Sequence, residues 1–219
     1  MGLQPDSVSQ EESRKPSRGA LRRAAIMAAA REVFLERGFG AATLDEVVRR
    51  AGGSRATLYE NFGSKEGLFA AIVAEQCDLV VEPLQVVPHA RGRPEDVLYA
   101  VGKRFLGVLM NAGGLGLYRL VSAEGARFPE LAARVFESGP RAAADQLAGY
   151  FRSQVKQGTL TLEDPDLAAR HFLEMVKGDL HTRALFGVPP PPTDGEIEAC
   201  VRGAVTIFLR GARTGKFDA

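Results

Sequence analysis

Within AGGSRATLYENFGSKEGLF, residues 51–69, a run of hydrogen-bonding side chains is crowded around two apolar ones. Arg55, Thr57, Tyr59 and Asn61 surround Leu58 and Phe62, and Ser64 and Lys65 follow immediately. A guanidinium can grip guanine O6 and N7 with two parallel N–H donors. Ala56 is small enough to let a backbone approach a groove floor or a thymine methyl. The hydroxyls of Thr57 and Tyr59 can reach a phosphate or a base edge, and Asn61 adds a side-chain amide to the same row. Ser54, Thr43 and Ser64 each stand where a helix begins, so each is a cap, a phosphate contact or both. Lys65 lies in the first turn of a helix, where a cation opposes the helix dipole, a placement that suits an incoming anion. It is otherwise a solvated surface charge.

These residues must be held by short helices. Ile26, Ala30, Val33 and Phe34 recur at i, i+4, i+7 and i+8, one face of a helix from about 19 to 37 that Gly38 ends. Thr43 followed by Glu46 is a capping box, and Leu44, Val47, Val48 and Ala51 form the apolar face of a second helix. Gly52 and Gly53 stop it. Ser54 caps a third helix that faces inward through Leu58 and Phe62 and ends at Gly63, and Ser64 caps a long fourth. Two helices joined by a glycine turn on a three-helix core make a helix-turn-helix, whose second helix enters the major groove. Residues 14 to 65 carry eleven Lys or Arg against five Asp or Glu, a net of +6 in a chain whose total is +1. A basic segment on a near-neutral chain fits a local anionic partner, nucleic acid above all, or a solvated basic face.

The segment from Arg22 to about Ile72 resembles the DNA-binding domain of the TetR/AcrR family of bacterial transcriptional regulators. The resemblance rests on Phe34, Gly38, Thr43, Ala51-Gly52, Ser54, Thr57-Leu58-Tyr59, Phe62, Lys65 and Leu68 in that order. It departs from the family pattern at Gly53, where a valine is usual, and this substitution is expected to loosen the turn beneath the third helix. Residues 90 to about 212 look like the ligand-binding and dimerisation domain of one branch of that family. The resemblance implies a homodimer on a palindromic operator, a repressor released by a small apolar or amphipathic effector. An activator of the same fold is the alternative.

The expected fold is all-α, in four parts. Residues 1–18 form a flexible basic arm and 19–66 the helix-turn-helix domain, with a long helix, 64–87, leading to the second domain. Residues 88–213 form the effector-binding and dimerisation domain, and 214–219 a tail. Pro140, after Gly139, is expected to break or kink the helical path. Asp164 or Asp166 caps a helix ending near Phe186, and a helix over 194–212 closes the chain. The 166–186 helix is apolar on more than one side and so needs two partners. Pairing the last two helices across a dimer would use Leu173, Val176, Leu180, Ile197, Val201, Val205 and Phe208; burial within one subunit is the alternative.

An effector pocket is expected among Phe105, Leu109, Met110, Tyr118, Phe128, Phe136, Phe151, His171, Phe172 and Met175, residue types that line apolar pockets and equally make cores. Arg104, Arg119 and Asp179 could orient a ligand there.

Other chemistries find no support. His89, His171 and His181 show no metal-ligand spacing, no glycine-rich phosphate loop follows a strand, and no serine sits in a nucleophile elbow. No catalytic residue, metal or cofactor is expected. Cys77 and Cys200 read as reduced thiols of a cytoplasmic protein, or as a redox pair. No apolar run approaches the ~18 residues of a membrane span. The rival from another class is a helical dimeric adaptor without specific DNA binding, against which the exposed row Arg55, Thr57, Tyr59 and Lys65 argues.

Overall fold

The computed structural model describes residues 17–85, 87, 90 and 92–214. The expected arm, apart from Ser17 and Arg18, and the tail beyond Thr214 lie outside the described residues, as does His89. Ten α-helices follow one another, with no strand among the described residues. They are α1 (Arg18–Ala41), α2 (Leu44–Ala51), α3 (Arg55–Phe62), α4 (Lys65–Leu84), α5 (Pro94–Met110), α6 (Ala112–Glu124), α7 (Pro129–Phe136), α8 (Ala142–Lys156), α9 (Pro165–Leu185) and α10 (Asp194–Thr214).

The N-terminal helices begin where the hydroxyl caps stand. Ser17 Oγ accepts from Ala20 N, Thr43 Oγ1 from Glu46 N, Ser54 Oγ from Thr57 N and Ser64 Oγ from Gly67 N, at 3.1 to 3.3 Å. Each bond satisfies an amide that the first helical turn leaves unpaired. Gly38 takes the positive φ of 73° foreseen for it, yet the chain resumes helical turns to Ala41. The reason is Phe39, which turns into the core and packs against Phe34, Phe69 and Phe128 at ring distances of 4.8 to 5.5 Å.

Two cores result. One gathers Ile26, Val33, Phe34, Phe39, Val47, Leu58, Leu68 and Phe69 from α1–α4, and takes Leu120, Leu131 and Val135 from α6 and α7. The other joins α5, α8, α9 and α10 with the end of α4. Its centre is a ring cluster in which Phe151 stacks on Phe208 at 5.0 Å and Phe172 meets Phe208 edge-on at 5.3 Å. α6 serves both, since Leu117 packs on the first core and Tyr118 on the second.

Pro140 does not break the path. The chain passes from α7 to α8 through a π-helical turn, Glu137–Arg141, and the wider turn accommodates the ring and the missing N–H. α9 starts as expected, with Asp164 Oδ1 accepting from Asp166 N and Leu167 N at 2.9 Å. It then contains an interruption the sequence did not announce. Gly178 adopts φ 51°, ψ −152°, and a Cβ there would lie 2.9 Å from Cys200 Sγ.

The residues assigned to a subunit interface are corrected. Leu173, Val176, Leu180, Val201, Val205 and Phe208 are all buried within this one chain. α9 satisfies its two apolar sides against α8 on one hand and α5 and α10 on the other. Ile197 is half-buried. The face that α10 turns outward carries Ala199, Thr206, Gly211 and Ile207, the last 65% exposed.

Candidate nucleic-acid interface and ligand cavity

The face of α3 is set by Leu58, which is fully buried, and by half-buried Phe62, whose ring lies 5.1 Å beneath the Arg23 guanidinium. With those two turned inward, Ser54, Arg55, Ala56, Tyr59 and Asn61 stand exposed, and Thr57 is half-buried. The expected row therefore exists. Four of its polar side chains, those of Ser54, Arg55, Thr57 and Asn61, are already engaged in the free protein. Thr57 Oγ1 shares a hydrogen bond with the Ser54 hydroxyl at 3.1 Å, and Asn61 Nδ2 donates to Thr57 O at 2.7 Å. Arg55 donates to the Asp45 carboxylate of α2, and that anion raises the guanidinium pKa. Asp45 was not foreseen. Ten residues separate it from Arg55, and only the packing of α2 on α3 brings them together.

Lys65 is a correction. Its ammonium donates to Phe39 O at 2.8 Å, Gly40 O at 3.2 Å and Ala42 O at 3.1 Å, and it lies 4.7 Å over the Phe39 ring. Three donors meet three carbonyls at the end of α1, so none remains for a phosphate. A cation among C-terminal carbonyls is the favourable placement that its position in α4 seemed to deny. Thr43 and Ser64 serve as caps; Thr43 is exposed and Ser64 half-buried.

The turn at Gly53 is corrected as well. Gly53 has φ 138°, and the space a Cβ would fill is occupied by the Arg22 guanidinium, whose Nη1 donates to Ala51 O at 2.9 Å. Arg22 closes the α2 carbonyl end and covers the turn, which is thereby pinned rather than loosened. Nearby, Arg50 binds both Glu36 on α1 and Glu46 on α2. Hydrogen bonding from Arg50 holds the Glu36 carboxyl below its ordinary value.

The expected pocket residues disperse. Phe105, Leu109 and Tyr118 do meet, around a cavity of about 40 Å³ shared by α4, α5, α6 and the π-helical turn. Gln76, Cys77, Val135 and Pro140 also line it and were not foreseen. Met110 lines a separate outer groove beside the proline loop, with Leu115 and Ile197. Phe128 packs on Phe39 at the junction of the two cores, and Phe151 and Phe172 are solid core. Met175 packs on that core from its edge. Phe136, 54% exposed, and exposed His171 face outward and line nothing inside. Arg119 donates to Leu185 O and Ala184 O, closing the end of α9, and is not turned to a ligand.

Burial pushes the Cys77 thiol up to about 11 and also raises that of Cys200, which donates to Val176 O at 3.4 Å. Buried His181 meets Tyr118 edge-on at 4.7 Å, and desolvation lowers its pKa. Among the described residues no three His, Cys, Asp or Glu side chains gather as metal ligands. No single helix among them is long and apolar enough to cross a membrane.

Comparison with known proteins agrees with this geometry. Residues 26–72 match the family model described as bacterial regulatory proteins, tetR family, and residues 96–211 match that of the AefR-like transcriptional repressor C-terminal domain. The transcriptional activator FasR of Mycolicibacterium smegmatis is 43% identical over 60 residues, 27% of either chain. The transcriptional regulator UidR of Escherichia coli K12 is 30% identical over 115 residues, 51% of this chain and 55% of that one. The chain thus spans about half or less of these curated relatives. Among solved structures, a TetR-family regulator from Mesorhizobium loti superposes with a TM-score of 0.77 at 27% identity, covering 90% of this chain and 98% of that one. The flavonoid-responsive regulator FrrA gives a TM-score of 0.72 at 29% identity, covering 88% and 97%.

Proposed function

Since this chain belongs to the TetR family of bacterial transcriptional regulators, we propose that it acts in the cytoplasm as a homodimeric repressor on a palindromic operator, released by a small molecule. The observation that carries the DNA-contact assignment is the outward row of α3. Ser54, Arg55, Ala56, Tyr59 and Asn61 are exposed while Leu58 is sealed in the core. In the bound state Arg55 exchanges Asp45 for a guanine edge, with Thr57 and Tyr59 reaching adjacent base or phosphate groups. Thr43 and Ser64 present helix N-termini to phosphates on either side.

The sign of regulation follows the C-terminal match, which is to a repressor domain; the likeness to the activator FasR covers only 60 residues. Dimerisation uses the outer side of α10 around Ala199, Gly203, Ile207 and Gly211. A Cβ at Gly203 or Gly211 would meet nothing within 4 Å, so a second helix has room to approach closely. The dimer must set its two α3 helices about 34–36 Å apart, one turn of duplex, or a multiple of that.

Fluorescence anisotropy on duplexes from the promoter upstream of the protein's own gene tests the reading across a salt series. Arg55→Ala is expected to cost about 1–3 kcal/mol on the specific fragment and far less on unrelated DNA. If no fragment binds above the level of unrelated duplex, the adaptor reading replaces this one. Transcription in vitro from a bound promoter distinguishes repression from activation.

A further inference from the structure

The cavity between α4, α5, α6 and the π-helical turn has a consistent chemistry. Cys77, Val80, Phe105, Leu109, Val135 and Pro140 supply an apolar wall, and no charged side chain lines it. Its polar groups are the Gln76 amide and the Tyr118 hydroxyl, and the Cys77 thiol stays protonated at neutral pH. A second cavity of about 40 Å³ lies between α1, α4 and α6, and Gln76 and Leu117 belong to the walls of both. Its one charged lining residue, Arg31, is already paired with Glu75. A volume of about 40 Å³ holds roughly one water, so a ligand of ordinary size must enlarge what is there.

The walls that separate these cavities are built to yield. α6 opens with Ala112-Gly113-Gly114-Leu115-Gly116, and glycine leaves a helical turn less firmly held than alanine would. A Cβ at Gly113 would lie 2.4 Å from Gln76 Oε1, and one at Gly116 would lie 2.9 Å from Leu35 Cδ2 of α1. At these two glycines α6 rests on α1 and α4 with no side chain of its own between them, while Leu117 and Leu120 pack on the first core. The opposite wall is the π-helical turn, through Gly139 and Pro140. Gln76 is held weakly, by a 3.4 Å bond to Asn111 Oδ1.

We propose that the effector is an uncharged, largely apolar molecule whose single hydrogen-bonding group is received by Gln76. It enters by merging the two cavities, and in doing so drives Leu35 of α1 off Gly116 of α6. This rests on the ligand-responsive reading above and specifies its ligand class. Charge is disfavoured because the first cavity has no charged side chain to meet it and Arg31 of the second is already paired with Glu75, so a charged group would lose its water without a free counter-charge. The nearby basic surface is a separate outer groove of about 620 Å³ on α4 and α5, where Lys103 and Arg104 stand beside Leu79 and Tyr99.

Two fluorescent probes with the same ring system test this on the full chain. N-phenyl-1-naphthylamine is neutral with one N–H; anilinonaphthalene sulfonate carries an added anion. The neutral probe is expected to bind saturably and at least tenfold more tightly than the sulfonate. Gln76→Leu should weaken the neutral probe about fivefold or more, while Lys103→Ala/Arg104→Ala leaves it unchanged. Saturating neutral probe should lower affinity for the promoter fragment at least fivefold, and in Leu35→Ala, brought to its own saturating probe concentration, that loss should shrink. Equal or tighter binding of the sulfonate, or neutral-probe binding that depends on Lys103 and Arg104 instead of Gln76, would overturn the proposal. So would the absence of probe binding in protein that still binds its promoter fragment, a result that leaves the regulator reading intact. Loss of specific DNA binding in the probe-free protein is the separate result that removes the regulator reading itself.

Discussion

At the scale of single residues, the face of α3 proposed to meet DNA has its arginine occupied by an acid. Asp45 occupies the Arg55 guanidinium and faces the same side as the α3 row. Asp45→Asn removes a negative charge from that face and frees the arginine. Affinity for unrelated duplex is expected to rise by on the order of 1 kcal/mol, a roughly fivefold change, and the ratio of specific to unrelated binding to fall. Anisotropy on a promoter fragment and a scrambled duplex measures both. Lys65 makes the opposite kind of prediction. Lys65→Met strands three carbonyls at the end of α1 and should destabilise the fold by about 2 kcal/mol in denaturant titration. The slope of log affinity against log salt should not change, whereas loss of a phosphate contact would lower it by about 1. The caps at Thr43, Ser54 and Ser64 were legible because a cap and its amide are three residues apart. The partners of Lys65 lie 23 to 26 residues upstream, beyond any local pattern.

At the scale of elements, start signals and spacing placed α2, α3, α4 and α9, while glycine and proline were harder to read. A glycine can end a helix, as at Gly52, or let a helix continue past it, as at Gly38 and Gly178. Which occurs depends on what the next residue packs against. After Gly38 that residue is Phe39, and the contact brings together α1, α4 and the chain before α7. Beyond Gly178, α9 carries His181 against Tyr118 of α6. Burial, with a smaller contribution from Lys177 and a partial offset from Glu174, lowers the His181 pKa below 6.5. The unfolded chain then takes up this proton at a higher pH than the folded one. Stability is therefore full above about pH 6.5 and declines as the pH falls from there toward the lowered folded value. Thermal unfolding at pH 7.5 and 5.5 should show a drop in the wild type that His181→Gln reduces. An equal drop in both would assign the acid sensitivity to other groups.

At the scale of the molecule, periodicity told which residues are buried but not by what. Val176 and Val201 read as candidates for a partner subunit, yet each touches α5 where Gly102 lets the helices close to side-chain contact. A single helix pattern cannot distinguish an internal neighbour from an external one. The residues left outward are those that a second copy can use. Ile207→Asp places a charge at the centre of that face without entering the core, and is expected to convert dimer to monomer in sedimentation velocity. The variant should keep its thermal midpoint within a few degrees when measured at low concentration, and should lose cooperative binding to a two-half-site duplex. Unchanged sedimentation would move the subunit contact elsewhere.

The two native thiols carry a practical consequence. Reaction with maleimides proceeds through the thiolate, and burial keeps both Cys77 and Cys200 above the ordinary thiol range. A cysteine placed at exposed Ser17 would outpace them at neutral pH, so a single dye can be attached without first removing the natural sulfurs. Because Arg22, one turn further along α1, lies over the turn between α2 and α3, that dye would sit at the same end of the molecule as the α3 row. Its emission would then report, in real time, each arrival and departure of duplex.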